Sequence, residues 1–259
     1  MSKKLNIWSI IYPFAALIFI IAAWGITAKI IGQEIVLPTI SSTLKSMLNV
    51  FSGDKFFLRI GSSLSRCLIA FSISFILAII FALLSKLVNP IRQVMKVFVL
   101  VLRAVPTMSF ILFALIWLSS FNAPILVASI VLFPIMYGSI LTSIESVDSN
   151  LIEMAQSYKI PILKQVRYMY LPQMQSQIFS IVRSNISFSI KLIIAAEVLA
   201  QTRDSIGVSM NNARLYFEMG DLFAWTIIAV VLASIMEAVL YLIELIVRKL
   251  QRRGVNENK

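Results

Sequence analysis

The sequence predicts an all-α polytopic membrane protein with about six transmembrane helices, and three observations predict it. The chain is 59% hydrophobic and only 14% charged, where a soluble domain carries about 25% charged residues. Its apolar residues collect in uncharged runs, several of them long enough to cross a bilayer, which takes about 20 residues. Lysine and arginine fall in short groups beside those runs. The net charge of +11 therefore reads as topology signals and anionic-lipid contacts, and nucleic acid is not an expected partner. A mean hydropathy of +0.90 agrees.

The spans follow in order. Residues 5–28 form the first uncharged run, longer than the roughly 7–15 residues of a signal-peptide core and suited to a retained span. Residues 38–53 read as a short amphipathic helix with Leu37, Leu44, Met47, Leu48 and Phe51 on one side, fit to lie in the outer membrane surface. The second span is 67–85. Residues 104–144 contain no charge and are too long for one span. Ser119-Ser120-Phe121-Asn122-Ala123-Pro124 supplies turn chemistry in the middle, so this stretch is expected to be a helical hairpin, spans three and four. Just before it, part of 91–103 is expected along the interface, with Pro106 marking a bend. The fifth span covers about 178–200 and the sixth about 222–243.

Six spans bring four basic groups to one side: Lys3 and Lys4; Lys86, Arg92 and Lys96; Lys159, Lys164 and Arg167; and Arg248, Lys249, Arg252 and Arg253. The positive-inside rule makes that side cytoplasmic, with both termini inside. The other side keeps Lys45, Lys55, Arg59 and Arg203. No loop approaches the roughly 100 residues of a nucleotide- or solute-binding domain, and no G-x-x-x-x-G-K-[ST] occurs. If ATP drives this chain, the ATPase is a separate polypeptide. Cys67 is the single cysteine, so no intrachain disulfide forms, and inside an apolar run it reads as a small buried hydrophobe. Histidine is absent. That removes the commonest metal ligand and the usual general base, and no metal site or catalytic residue is expected.

Between the fourth and fifth spans lies a polar, proline-broken segment. Residues 149–160 carry helix signals: Ser149 or Asn150 as cap, Glu153 in the first turn where a carboxylate favours the helix dipole, and Leu151, Ile152, Ala155 and Tyr158 on an apolar side. Pro161 suits the start of a second helix over 162–170, which Pro172 is expected to stop. By itself this describes either an ordinary loop or a docking element. The spacing of Glu153-Met154-Ala155, Met169 and Leu171-Pro172 resembles the E-A-A loop of bacterial ABC importer permeases, with Met154 replacing the middle alanine. Lys159 stands where that family has glycine. A left-handed turn costs lysine about 1 kcal/mol, so the turn is expected to be made differently here. Pro90 with Leu102-Arg103-Ala104-Val105-Pro106, then Phe133-Pro134 and Ser146-Val147-Asp148, extend the resemblance over roughly 60–247. Ala195-Ala196-Glu197 and Asn212-Ala213-Arg214 are similar to its sulfonate/nitrate/taurine branch.

The resemblance implies a type I importer permease fold: an N-terminal helix with an outer amphipathic helix over 1–58, the permease core over 59–247, and a basic tail over 248–259. It implies a bacterial cytoplasmic-membrane protein that pairs with a second permease copy, a cytoplasmic ABC ATPase dimer and an extracytoplasmic solute-binding protein. Glu153, Met154, Ala155, Lys159, Leu171 and Pro172 would couple the 143–176 loop to the ATPase. A charge placed at Ala155 would then break that pairing. This chain would hold no cofactor, ATP-Mg residing on the partner, and would do no covalent chemistry. By branch, the solute would be small and anionic or zwitterionic: a sulfonate, taurine, nitrate, or a thiamine-type precursor. The rivals are a self-sufficient secondary transporter or channel, which would show inverted repeats, and a membrane enzyme, which would need clustered His, Asp or Cys.

Charges inside the spans need a reason, because each costs about 2.5–3.5 kcal/mol at a helix centre. Lys191 and Glu197 lie about 120° apart on a helix and are not natural partners. Either they line a polar path, or Glu197 sits near the outer interface while Lys191 pairs with a neighbouring span. Arg103, beside Pro106, is a path residue or snorkels. Glu237 and Glu244 share a face, Glu244 has ion-pair spacing to Arg248, and the tryptophans read as interface anchors.

Overall fold

The computed structural model describes residues 8–257, and every regular element among them is helical. Lys3 and Lys4 lie outside the described residues. The helices are α1 (Trp8–Ile31), α2 (Ile40–Phe51), α3 (Phe56–Leu87), α4 (Asn89–Ala104), α5 (Thr107–Trp117), α6 (Ala123–Glu145), α7 (Ser149–Ser157), α8 (Ile162–Gln165), α9 (Leu171–Ala200), α10 (Ile206–Leu215) and α11 (Met219–Glu257), with a π-turn at Val166–Tyr170 before α9. Five stretches are long and apolar enough to cross a membrane: Phe14–Ile31, Phe56–Leu87, Ala123–Glu145, Val166–Ala200 and Met219–Lys249. The third expected span is not a straight helix. Pro106 has no N–H to continue α4, and α4 meets α5 at 94°. α5 has 11 residues, about 16 Å at 1.5 Å per residue, so alone it is too short for a core of about 30 Å. Counting the bent pair as one broken span makes six.

Two compact units partition the chain. One contains the chain up to Phe57 together with Ser209–Ile228. Here α2 forms as expected, opened by Thr39, whose hydroxyl accepts the Ser42 N–H at 3.2 Å, and Leu44, Leu48 and Phe51 stay exposed. Trp24 and Trp225 are not free interface anchors. Trp24 donates to the Pro38 carbonyl at 3.1 Å and stacks on Phe223, while Trp225 is buried beside Phe56. Trp117, in contrast, is exposed at the end of α5.

The second unit holds Leu58–Val208 and the chain from Ala229 on. On α3, Ala70, Ser74, Ala78 and Ala82 are all fully buried. Their four-residue spacing makes a ridge of small side chains that lets a neighbouring backbone come close. Ser74 Oγ uses that approach to donate to the Ser129 carbonyl of α6 at 3.0 Å. Farther along, Tyr137 donates to Ser85 at 2.9 Å. Cys67 is buried as expected, its thiol 3.3 Å from the Ser189 hydroxyl on α9. Ile111, Ala114, Ala123, Val127 and Ala196 close the apolar core where α5, α6 and α9 meet.

Candidate functional site

The segment between α6 and α9 is built as two short helices, but its caps differ from expectation. Asp148 opens α7, its carboxylate accepting the Asn150 N–H at 2.9 Å. The helix therefore starts earlier, Glu153 falls in its second turn, and no acid occupies the first. Lys159 ends it with φ +50°. The Ile160 N–H returns to the Ala155 carbonyl at 2.9 Å, the six-to-one bond of a helix end closed by a left-handed residue. The turn is thus the left-handed one that glycine makes most easily, made here by lysine. Replacing Lys159 with Gly is expected to stabilise the segment by about 1 kcal/mol, read as slower hydrogen exchange over 155–160; unchanged exchange would contradict the cost assigned to this turn.

Pro172 does not stop a helix. The chain runs from α8 through the π-turn into α9, and the Leu171 N–H bonds five residues back to the Val166 carbonyl. The extra residue in that turn absorbs a proline that a regular helix could not. Of the residues assigned to coupling, Glu153, Lys159, Leu171 and Pro172 are exposed. Met154 is 45% and Tyr158, one turn on, 78% exposed. Ala155 is 0% exposed. It faces inward, so a charge there would damage α7 itself before it touched any partner.

Glu197, three residues from the end of α9, is enclosed by protein and not open to a path. Arg66 and Glu197 are both 0% exposed. Arg66 Nε donates to Oε1 at 2.8 Å and Nη2 lies 2.7 Å from the same oxygen. Ser63 Oγ and the Gly207 N–H donate to Oε2 at 2.8 and 3.1 Å. The guanidinium also lies over the Phe121 ring, 5.2 Å from its centroid. Gly207 permits this closeness: a Cβ there would stand 2.6 Å from the Ile194 carbonyl oxygen. The carboxylate thus ties α3, α9 and the start of α10 together. Sequence reasoning missed Arg66, whose only local signal was a charge at the edge of an apolar run.

Arg103 is exposed, with Nη2 donating to the Pro134 carbonyl at 2.8 Å. Gly138 makes room for it, since a Cβ there would meet Nη2 at 2.8 Å. Pro106 is exposed at the bend. Arg103 borders an open groove of about 610 Å³ whose lining includes Ser139, Thr142 and Ser143 from α6 and Gln177 and Ser180 from α9. Lys191 is exposed on α9 and pairs with nothing among the described residues. One turn below it, Ser187 donates to Glu237 at 3.2 Å. Glu244 is buried, paired with Arg248 as its spacing predicts and 3.4 Å from Arg183 of α9.

A pattern then emerges along α9. Gln173, Gln177, Ser180, Ser184, Phe188, Lys191 and Ala195 are all exposed, and at 100° per residue they fall within about 80° of arc. One face of a membrane-length helix is therefore a polar stripe ending near a lysine. Such a face is costly against lipid and belongs against water or another polar surface.

Residues 74–254 match a family model described as the binding-protein-dependent transport system inner membrane component. Among solved structures the chain is similar to an amino acid ABC transporter with histidines, at 17% identity and a TM-score of 0.54, over 72% of this chain and 89% of that one. At that identity the likeness is one of fold. No curated protein matches the chain.

Proposed function

Because the chain belongs to the binding-protein-dependent transport system inner membrane component family, and so is a multi-pass permease component of an ABC importer, we propose that the α9 stripe lines its translocation path. The stripe carries the reading: a polar ladder on a membrane-spanning helix is what a solute crossing the bilayer needs beside it. Arg103 and Lys191 are the cations along this surface, and Pro106 bends the neighbouring span. No acid belongs to the stripe or lines the groove. That favours a small anionic or zwitterionic solute, of the sulfonate, taurine, nitrate or thiamine-precursor kind. Glu197 leaves the list of path residues, since its carboxylate is fully engaged inside the fold.

A second copy of the permease would close the path, with a solute-binding protein on the outer side. A cytoplasmic ATPase dimer would dock on the 143–176 segment. Met154, on the outward side of α7, and Tyr158, just past its end, are its contact, and Lys159 with the first turn of α9 transmits the push. ATP-Mg and its hydrolysis belong to that partner. The positive-inside rule, applied to the basic groups beside the spans, supports a cytoplasmic location for this segment and both termini.

Single cysteines test the path, because buried Cys67 contributes little background. Ser184→Cys is expected to react with a water-soluble maleimide in the assembled, lipid-embedded complex. Val239→Cys, on an exposed apolar position of α11, is expected to stay unlabelled. Equal labelling of the two would remove the stripe from the path. Co-purification with an ATPase subunit separates the permease from a self-sufficient transporter.

A further inference from the structure

We propose that the cleft between α4 and α6 is an anion-binding site for a phosphate- or sulfonate-type group, held by Arg92, Lys96 and Arg103. Spacings of four and seven residues put the three cations within about 40° of arc on one face of α4, along about 16 Å. The cleft holds about 530 Å³, and its lining includes all three together with Gln93, Tyr137 and Gly138, but no carboxylate. At one end Arg92 is paired with Glu145 of α6. Lys96 has no partner among the described residues, and Arg103 uses one nitrogen, on the Pro134 carbonyl.

That bond orients the guanidinium, and Gly138 leaves room for it, since a Cβ there would stand 2.8 Å from Nη2 and displace the end of the arginine side chain. The result is a held arginine fork and a free ammonium in one cleft with a single acid at its edge. Three cations on one face with a single acid among them repel one another, the more so at low ionic strength. A tetrahedral oxyanion supplies the missing charge: arginine binds its oxygens through a planar fork and lysine as a point charge. A phospholipid headgroup and a soluble sulfonate both offer this chemistry. Val94, Val97, Phe98 and Val101, exposed on the rest of α4, provide an apolar surface beside the cleft that acyl chains could cover.

The test follows acetylation of Lys96 by acetic anhydride in the full chain, read by peptide mass spectrometry with exposed Lys45 as internal reference. Vesicles are made of phosphatidylcholine alone, of phosphatidylcholine with phosphatidylglycerol, or of phosphatidylcholine with sodium methanesulfonate added. Sodium chloride at equal ionic strength is the control. An anion is expected to slow Lys96 acetylation several-fold relative to Lys45, and Gly138→Ala and Arg103→Gln to remove the protection. Protection by phosphatidylglycerol alone assigns the cleft to a lipid headgroup; protection by methanesulfonate in neutral vesicles assigns it to a soluble anion. No protection by either, protection matched by chloride, or protection that survives both substitutions overturns the site. Should Arg103→Gln not fold, Arg92→Gln at the exposed end serves in its place. No ATPase enters the assay, so its failure leaves the docking of Met154 and Tyr158 untouched.

Discussion

Arg66→Met alone is expected to lower the stability of the folded chain by about 3–5 kcal/mol, because it strands the Glu197 carboxylate without its counter-ion in a site closed to water. The two residues lie 131 positions apart. Joining them brings the start of α3 to the end of α9, while Ser63 and the Gly207 N–H occupy the other carboxylate oxygen. Glu197→Leu alone should cost a similar amount by orphaning the guanidinium. The double variant Arg66→Met with Glu197→Leu is expected to recover most of the loss, since two well-packed apolar groups replace two desolvated charges. Thermal unfolding in detergent would show shifts on the order of 10 °C for each single variant and a much smaller one for the pair. Additive losses in the double variant would show that the two side chains do not act as one unit.

Met154→Asp combined with Tyr158→Asp is expected to weaken pairing with the ATPase by about 100-fold or more and to abolish solute-stimulated ATP hydrolysis. Anchors at the centre of an interface are worth about 2 kcal/mol or more each. Here an apolar thioether on the outward side of α7 and an aromatic ring just past its end stand one turn apart. Both are exposed, so the variant should fold and insert normally, with an unfolding temperature close to that of the parent. Ala155→Glu should behave in the opposite order. It injures α7 first, because Ala155 is fully enclosed, and any loss of coupling follows from that injury. Full ATPase pairing by the Met154/Tyr158 double variant would place the docking surface elsewhere.

These two experiments fall on residues whose roles the sequence revealed unequally. The family resemblance pointed to Met154 through a spacing, and a spacing survives in one dimension. The apolar side drawn through Leu151, Ile152, Ala155 and Tyr158 was right for Ala155 and wrong for Tyr158, which is exposed, because the limits of a short helix's buried side depend on the neighbouring helices. Glu197 was visible as a charge in an apolar run, and that oddity correctly demanded an explanation. The explanation was hidden, because its counter-ion belongs to a different helix. Lys159 shows the reverse case. The expected penalty for a left-handed lysine is real, but closing α7 through the Ile160 N–H requires that conformation, and about 1 kcal/mol is small beside the packing that fixes the turn.

The α9 stripe lay in plain sight as Gln173, Gln177, Ser180, Ser184 and Lys191. Periodicity alone could not say whether this face is covered by another helix of the same chain. The bend at Pro106 was likewise foreseeable as a position, whereas its angle of 94° depends on how α4 and α5 are held.

By itself, then, the sequence determined the helical class, the approximate spans and the location of the polar segment between α6 and α9. All of these follow from composition, run length and local spacing, which act along the chain. The tertiary structure alone decided that Glu197 is a buried tie to Arg66, that Tyr158 is exposed while Ala155 on the same expected apolar side is enclosed, and that Arg103 reaches the Pro134 carbonyl. It also decided which face of α9 is left open. Those outcomes depend on burial and on partners from distant segments, and both exist only after the helices have packed.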